Sequence, residues 1–176
     1  ADIAFGLLLS VTRRLGEGER LLRAGTPWSF HLGFMLGSGL QGKTLGIIRL
    51  GQIGRAMAER ARAFGMSIVY TGRRRAPAEV ESALEATYLP QDELLGTADV
   101  VSLHCPLTPQ TRHLIDADAL AAMKPTAFLV NTTRGPVVDE AALAAALREG
   151  TIAGAGLDVF ENAPDVHPDL LDLDNV

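Results

Sequence analysis

Residues 45–54, LGIIRLGQIG, place an apolar run directly before glycines at positions 51 and 54. A short apolar run closed by a glycine turn suits a buried strand, and the alanine-rich stretch that follows suits a helix. Strand, glycine turn and helix in that order open a βαβ unit, in which parallel strands are joined by helical crossovers. The spacing fits most of a G-x-G-x-x-G turn. In that turn the first glycine permits the sharp bend, the second lets backbone approach a pyrophosphate, and the third lets helix and strand pack closely. Gly51 and Gly54 fill the second and third places, and Arg49 stands in the first. A Cβ there is expected to crowd the bend. The expectation is therefore weakened dinucleotide binding with the fold kept, although the guanidinium would itself attract phosphate.

The chain has 176 residues and a formal charge of −5. That length is one domain by the usual size prior. The mild negative charge gives no support to a nucleic-acid or membrane-surface partner, and no apolar run reaches spanning length. The single cysteine, Cys105, excludes an internal disulfide framework and suits a reducing, cytoplasmic compartment. No metal site is expected. There is no basic-then-apolar leader, and the first residue already lies in an apparent helix, which suggests a fragment or an excised domain.

Apolar residues recur at near-helical spacing through residues 1–24, and Gly25, Thr26 and Pro27 end that pattern. Residues 25–43 read as an apolar loop holding Trp28, Phe30, Leu32, Phe34, Met35 and Leu36, either a core flap or a partner surface. From Thr44 the pattern alternates. Strands are expected at 45–50, 67–71, 87–89, 99–103, 127–130 and 153–157. Helices are expected at 53–64, 79–86, 92–95, 116–123 and 139–149, the last capped by Asp139 and stopped by Gly150. Strands that are apolar on both faces belong to a covered parallel sheet. The fold class is therefore α/β, a Rossmann-like doubly wound parallel sheet with helices on both faces. Residues 159–176 read as a Pro/Asp-rich loop.

Several positions then carry chemistry. About 20 residues past the glycines, a carboxylate would bond the adenosine ribose of NAD(H). Thr71 stands there, followed by Gly72, Arg73, Arg74 and Arg75. Guanidiniums without a carboxylate suit a 2′-phosphate, so NADP(H) is expected to be preferred, with NAD(H) possible. His104, after another buried strand, is a candidate base but is better read as a wall residue, because no carboxylate partner is evident to tune it. Cys105 has no neighbour that would lower its pKa. Arg134, followed by Gly135 at a strand end, can hold a carboxylate bidentately or satisfy loop carbonyls. Asp158, at the end of the last strand, can bond a nicotinamide amide or cap its loop.

Taken jointly and in order, GKTLG at 42–46, the glycine turn, HCPLT at 104–108, NTTRG at 131–135 and GLDVFE at 156–161 resemble the D-2-hydroxyacid dehydrogenase family. The YTGR corner at 70–73 resembles its glyoxylate/hydroxypyruvate reductase branch, which tends to use NADPH. The resemblance covers nearly the whole chain. It implies a cofactor domain inserted between two parts of a substrate domain, with subunits paired through the cofactor domain as a homodimer. It implies that Arg134 binds the carboxylate of a small 2-keto or 2-hydroxy acid and polarises its keto group. It also implies that Gln52 and Ile53 meet the pyrophosphate through backbone N–H, that Pro106 and Thr132 line the cleft, and that Asp158 holds the nicotinamide. The family's catalytic glutamate corresponds to Ala163. Its histidine follows an Asp-Asn-Val segment, and the sequence stops at Asp174, Asn175 and Val176. Two readings follow: the cofactor domain of an NADP-dependent 2-keto acid reductase, inactive by itself, or a non-catalytic relative that binds a nucleotide or dimerises as corepressor-type members do. A flavodoxin-like binding domain is a third, blander reading, which the Arg-Gly and Asp-Val-Phe segments argue against.

Overall fold

The computed structural model describes residues 1–29 and 31–176. Phe30, counted above in the apolar loop, lies outside the described residues. The sheet strands are β1 (Thr44–Ile48), β2 (Ser67–Thr71), β3 (Ala86–Tyr88), β4 (Val100–Leu103), β5 (Phe128–Asn131) and β6 (Gly154–Leu157). The helices are α1 (Asp2–Thr12), α2 (Leu15–Arg23), α3 (Gln52–Ala63), α4 (Ala78–Leu84), α5 (Gln91–Thr97), α6 (Ala117–Ala121), α7 (Glu140–Glu149) and α8 (Pro168–Leu171). All neighbouring strands pair in parallel, in the order β3-β2-β1-β4-β5-β6. The chain therefore winds outward in one direction from β1 to β3, then returns and winds the other way from β4. The reversal lies between β1 and β4, where a doubly wound sheet opens a crevice at the strands' carboxyl ends.

Each face of the sheet is covered. Ala4 and Leu8 of α1 and Met57, Ala58 and Ala61 of α3 pack on Leu45, Ile47, Ile68 and Tyr70. On the other face, Leu94, Leu95, Leu120, Leu143 and Leu147 pack on Val101, Leu103 and Leu129. Burial of strands from both sides explains why their sequences are continuously apolar rather than alternating. At the amino ends of the strands, Asp99 holds β1 in place: its carboxylate accepts from the Thr44 amide at 2.8 Å and from the Lys124 ammonium at 3.1 Å. Burial by itself would raise the Asp99 carboxyl. The Thr44 amide, Lys124 and Lys43 together outweigh it and hold the group below its ordinary value.

Two expectations are corrected. The single helix over 1–24 is two helices, broken at Arg13 and Arg14. The Thr12 carbonyl is taken by the Ser38 amide at 2.8 Å, and Arg14 turns into the left-handed region at φ 55. A two-point pair from Arg14 to Glu17, 2.6 Å at each contact, then ties the start of α2. Sequence periodicity cannot see a carbonyl claimed from 26 residues away. The tail is not all loop either: Pro168 opens α8, the His167 ring caps it by accepting from the Asp169 amide, and Leu170 is buried. A proline at the first helical position was the available signal. Elsewhere the expected elements stand within a few residues of their observed bounds. No helix among the described residues is long and apolar enough to cross a membrane.

Candidate functional site

The turn after β1 leaves the sheet at Arg49. Its backbone is left-handed, φ 78, so the bend a glycine would make is made by an arginine. The Arg49 amide donates to the Thr71 carbonyl at 2.8 Å, and its carbonyl accepts from the Gly51 amide at 3.0 Å. Gly54 is required here: a Cβ on it would stand 2.6 Å from the Arg49 carbonyl oxygen and 3.1 Å from Ile47. That is the close helix–strand approach expected of the third glycine. A Cβ on Gly51 would meet nothing within 4 Å, so the space above the second glycine is open. Gln52, Ile53 and Gly54 begin α3, whose start has no side-chain cap. Their first-turn N–H groups therefore face that open space without an intrahelical acceptor, in the field of a 12-residue helix. This is the anion-binding arrangement of a helix N-terminus.

The end of β2 supplies a basic corner. Arg75 is held by Glu81, with contacts of 2.8 and 3.0 Å, and Glu81 also accepts from the buried Tyr70 hydroxyl at 2.6 Å. The Arg75 guanidinium, followed by the Tyr70 hydroxyl, holds the Glu81 carboxyl below its ordinary value. Tyr70 in turn accepts from the Ala76 amide at 2.8 Å, and Tyr88 donates to the Gly72 carbonyl at 3.3 Å. The turn 72–76 is thus pinned from within. Arg73 and Arg74 are exposed, and among the described residues neither makes an ion pair.

Across the crevice, the chain leaves β4 through His104, Cys105 and Pro106. The His104 amide donates to the Ile48 carbonyl at 3.0 Å, extending the β1–β4 ladder by one residue. Its ring Nε2 meets the Ser102 hydroxyl at 2.9 Å, while Nδ1 is buried with no partner among the described residues. Burial, helped by the amino-terminal ammonium, pushes the imidazole down to about 4. A neutral ring with no carboxylate fits a wall residue better than a base. Burial pushes the Cys105 thiol up, and the nearby Arg49 charge counters that only in part. Pro106 and Leu107 are exposed.

The β5 end is organised by a residue that sequence reasoning passed over. Asn131 is 1% exposed; its Oδ1 accepts from the Thr133 amide and hydroxyl, and its Nδ2 donates to the Arg134 carbonyl. Its own carbonyl accepts from the Asp158 amide at 3.0 Å, joining the β5 and β6 ends. Arg134 is left exposed, with its guanidinium resting on the Thr133 carbonyl at 2.6 Å. Gly135 is demanded by contact rather than by φ. A Cβ there would fall 1.9 Å from the Phe160 carbonyl carbon and oxygen. The segment after β6 therefore crosses directly over the Arg134 loop.

Glu161 does not stand free on that segment. Its carboxylate meets His113 Nε2 at 2.6 Å and Arg112 at 3.0 Å, and its amide donates to the buried Glu140 carboxylate. Neither His113 nor Arg112 was singled out from the sequence, since their partners lie 48 and 49 residues away. Thr132, Arg134 and Asp158 share the carboxyl edge of the sheet with Gly51, Gln52, Ile53, Gly54, Arg73, Arg74 and Pro106, each at the end of the strand before it. Among the described residues, no group of three His, Cys, Asp or Glu side chains could hold a metal ion.

The family model described as D-isomer specific 2-hydroxyacid dehydrogenase, NAD binding domain, matches residues 5–176. A glyoxylate reductase of Thermococcus onnurineus is 51% identical over all of this chain and 54% of its own length. The crystal structure of a glyoxylate reductase from Paecilomyes thermophila superposes with a TM-score of 0.91 at 44% identity, covering 99% of this chain and 52% of that one. The apo D-mandelate dehydrogenase of Rhodotorula graminis superposes with a TM-score of 0.94 at 39% identity, covering 99% and 52%. The chain spans about half the length of the curated relatives it matches.

Proposed function

The chain belongs to the D-isomer specific 2-hydroxyacid dehydrogenases through their NAD-binding domain, and on that premise we propose that it holds NADP(H) in preference to NAD(H) as the cofactor domain of a reductase for small 2-keto acids such as glyoxylate or hydroxypyruvate. The observation that carries the preference is the corner after β2, where Arg73 and Arg74 are exposed and make no ion pair among the described residues, while Glu81 is spent on Arg75. Guanidiniums recognise a phosphate by charge-assisted, often bidentate hydrogen bonds, which a bare ribose cannot return. The uncapped start of α3 suits the pyrophosphate, with Gln52 and Ile53 offering backbone N–H groups over the open space at Gly51. Pro106 and Thr132 wall the cleft, and Asp158 accepts from the nicotinamide amide. When bound, the cofactor supplies the hydride. Arg134 contributes what a keto acid needs from this domain, a guanidinium that binds the carboxylate and draws charge from the carbonyl.

These 176 residues by themselves turn over no keto acid measurably. Ala163 has no proton to give, and Glu161 is occupied by Arg112 and His113. A missing general acid removes about 10²- to 10⁴-fold of rate. Ala163 also favours the second reading, a non-catalytic relative that binds the same cofactor. The apolar loop offers a pairing surface for a homodimer: Trp28, Leu32 and Leu36 are 55%, 92% and 71% exposed. NADPH and NADH titrations of the chain and of Arg73→Ala/Arg74→Ala test the central reading. NADPH should bind more tightly, and the double variant should erase the difference. Equal affinities in the unchanged chain would end the NADP(H) reading.

A further inference from the structure

We propose that Arg49 is a specificity-determining residue for the cofactor, a third guanidinium beside Arg73 and Arg74 that takes the 2′-phosphate from the β1 side of the crevice. The inference rests on the NADP(H) reading above. Its geometry is that of two adjoining turns. The Arg49 amide is bonded to the Thr71 carbonyl at 2.8 Å, and a Cβ on Gly72 would lie only 3.9 Å from the Arg49 Cα. The end of β1 and the basic corner after β2 are therefore in contact through Arg49 itself. The residue is exposed, and no ion pair claims it among the described residues. Its charge is also felt at Cys105, on the far wall.

The left-handed backbone decides what the substitution does to binding. At φ 78 the bend survives, and the second and third glycines keep their roles, with open space over Gly51 and helix contact at Gly54. What changes is the space beside the ribose. A long cationic side chain there occupies room that an unphosphorylated ribose would use and gives nothing back. A 2′-phosphate replaces that crowding by a charge-assisted contact. One residue then penalises NAD(H) and favours NADP(H), which is discrimination by both repulsion and attraction.

The test isolates the adenosine end. Calorimetric titration of the chain with adenosine 2′,5′-bisphosphate and with adenosine 5′-monophosphate gives a preference ratio free of the nicotinamide and of catalysis. The same ratio is measured for Arg49→Gln, which removes the charge and keeps the bulk, for Arg49→Gly, and for Arg73→Ala, with thermal melts as the fold control. The ratio should fall about tenfold in both Arg49 variants, the size of one charge-assisted contact at a partly solvated site. Binding of the monophosphate should be no weaker in Arg49→Gly. A ratio within twofold of the unchanged chain in both Arg49 variants, alongside a collapse in Arg73→Ala, overturns this inference and leaves the NADP(H) reading standing. No preference in the unchanged chain overturns both.

Discussion

Replacing Gly135 by alanine places a methyl group where the backbone of another segment already runs. The added Cβ would stand 1.9 Å from the Phe160 carbonyl carbon and oxygen and 2.3 Å from the Glu161 amide nitrogen. These are main-chain atoms, so no side-chain rotation relieves the overlap. Movement is resisted from both sides. Asn131 fixes the Arg134 loop through three hydrogen bonds, and Glu161 is held by His113, Arg112 and Glu140. Overpacking a core with one methylene costs about 1–3 kcal/mol, and a clash with pinned backbone belongs at the top of that range. At roughly 2–4 °C per kcal/mol for a chain of this size, a loss of about 3 kcal/mol lowers Tm by about 6–12 °C. Circular dichroism melts of the chain and of Gly135→Ala measure it. The segment after β6 should also separate from the Arg134 loop, so proteolysis near Phe160 should quicken. A Tm within about 2 °C of the unchanged chain would refute the packing argument.

His104 gives a pH prediction. Its imidazole lies at about 4 in the fold against 6.5 when free, so the unfolded chain takes up the proton first as pH falls. The stabilisation is complete above pH 6.5 and is lost between 6.5 and about 4, by about 3 kcal/mol at most; denaturant melts should show this slope, and His104→Asn should flatten it. Asp139 caps α7 by accepting from the Ala142 amide at 3.0 Å, so Asp139→Ala should cost about 1 kcal/mol in the same melts. Arg49→Gly removes left-handed strain of about 1–2 kcal/mol, offset by the roughly 0.5–1 kcal/mol of extra chain entropy a glycine must lose. Its Tm should hold or rise by a few degrees, and a fall of more than about 3 °C would contradict the strain.

The parallel sheet was readable because its strands are buried on both sides and separated by helices of ordinary length. A local apolar run and a local glycine suffice to mark each one. The placement of the candidate positions was readable for the same reason: Gly51, Arg73, Pro106, Thr132 and Asp158 each follow a strand, and in a doubly wound sheet strand ends converge. What stayed hidden was set by distant pairs. The break between α1 and α2 depends on Ser38 reaching Thr12. Arg75 and Arg73 are alike in sequence, and only Glu81 on α4 separates them: it holds Arg75, while Arg73 makes no ion pair among the described residues. The demand on Gly135 comes from Phe160, and nothing within the local stretch 131–135 states it.

The cofactor site proposed above is the carboxyl edge between β1 and β4. Amide chemical-shift mapping of the isotopically labelled chain on adding NADPH tests it most directly. Shifts should concentrate at residues 49–54, 72–74, 104–107, 131–134 and 158, with saturation at one equivalent. The groove between α1, α2 and the tail, lined by Leu7, Arg14, Leu157 and Leu173, should stay silent. Shifts confined to that groove, or none at millimolar NADPH in a chain whose melt shows it folded, would contradict the claim.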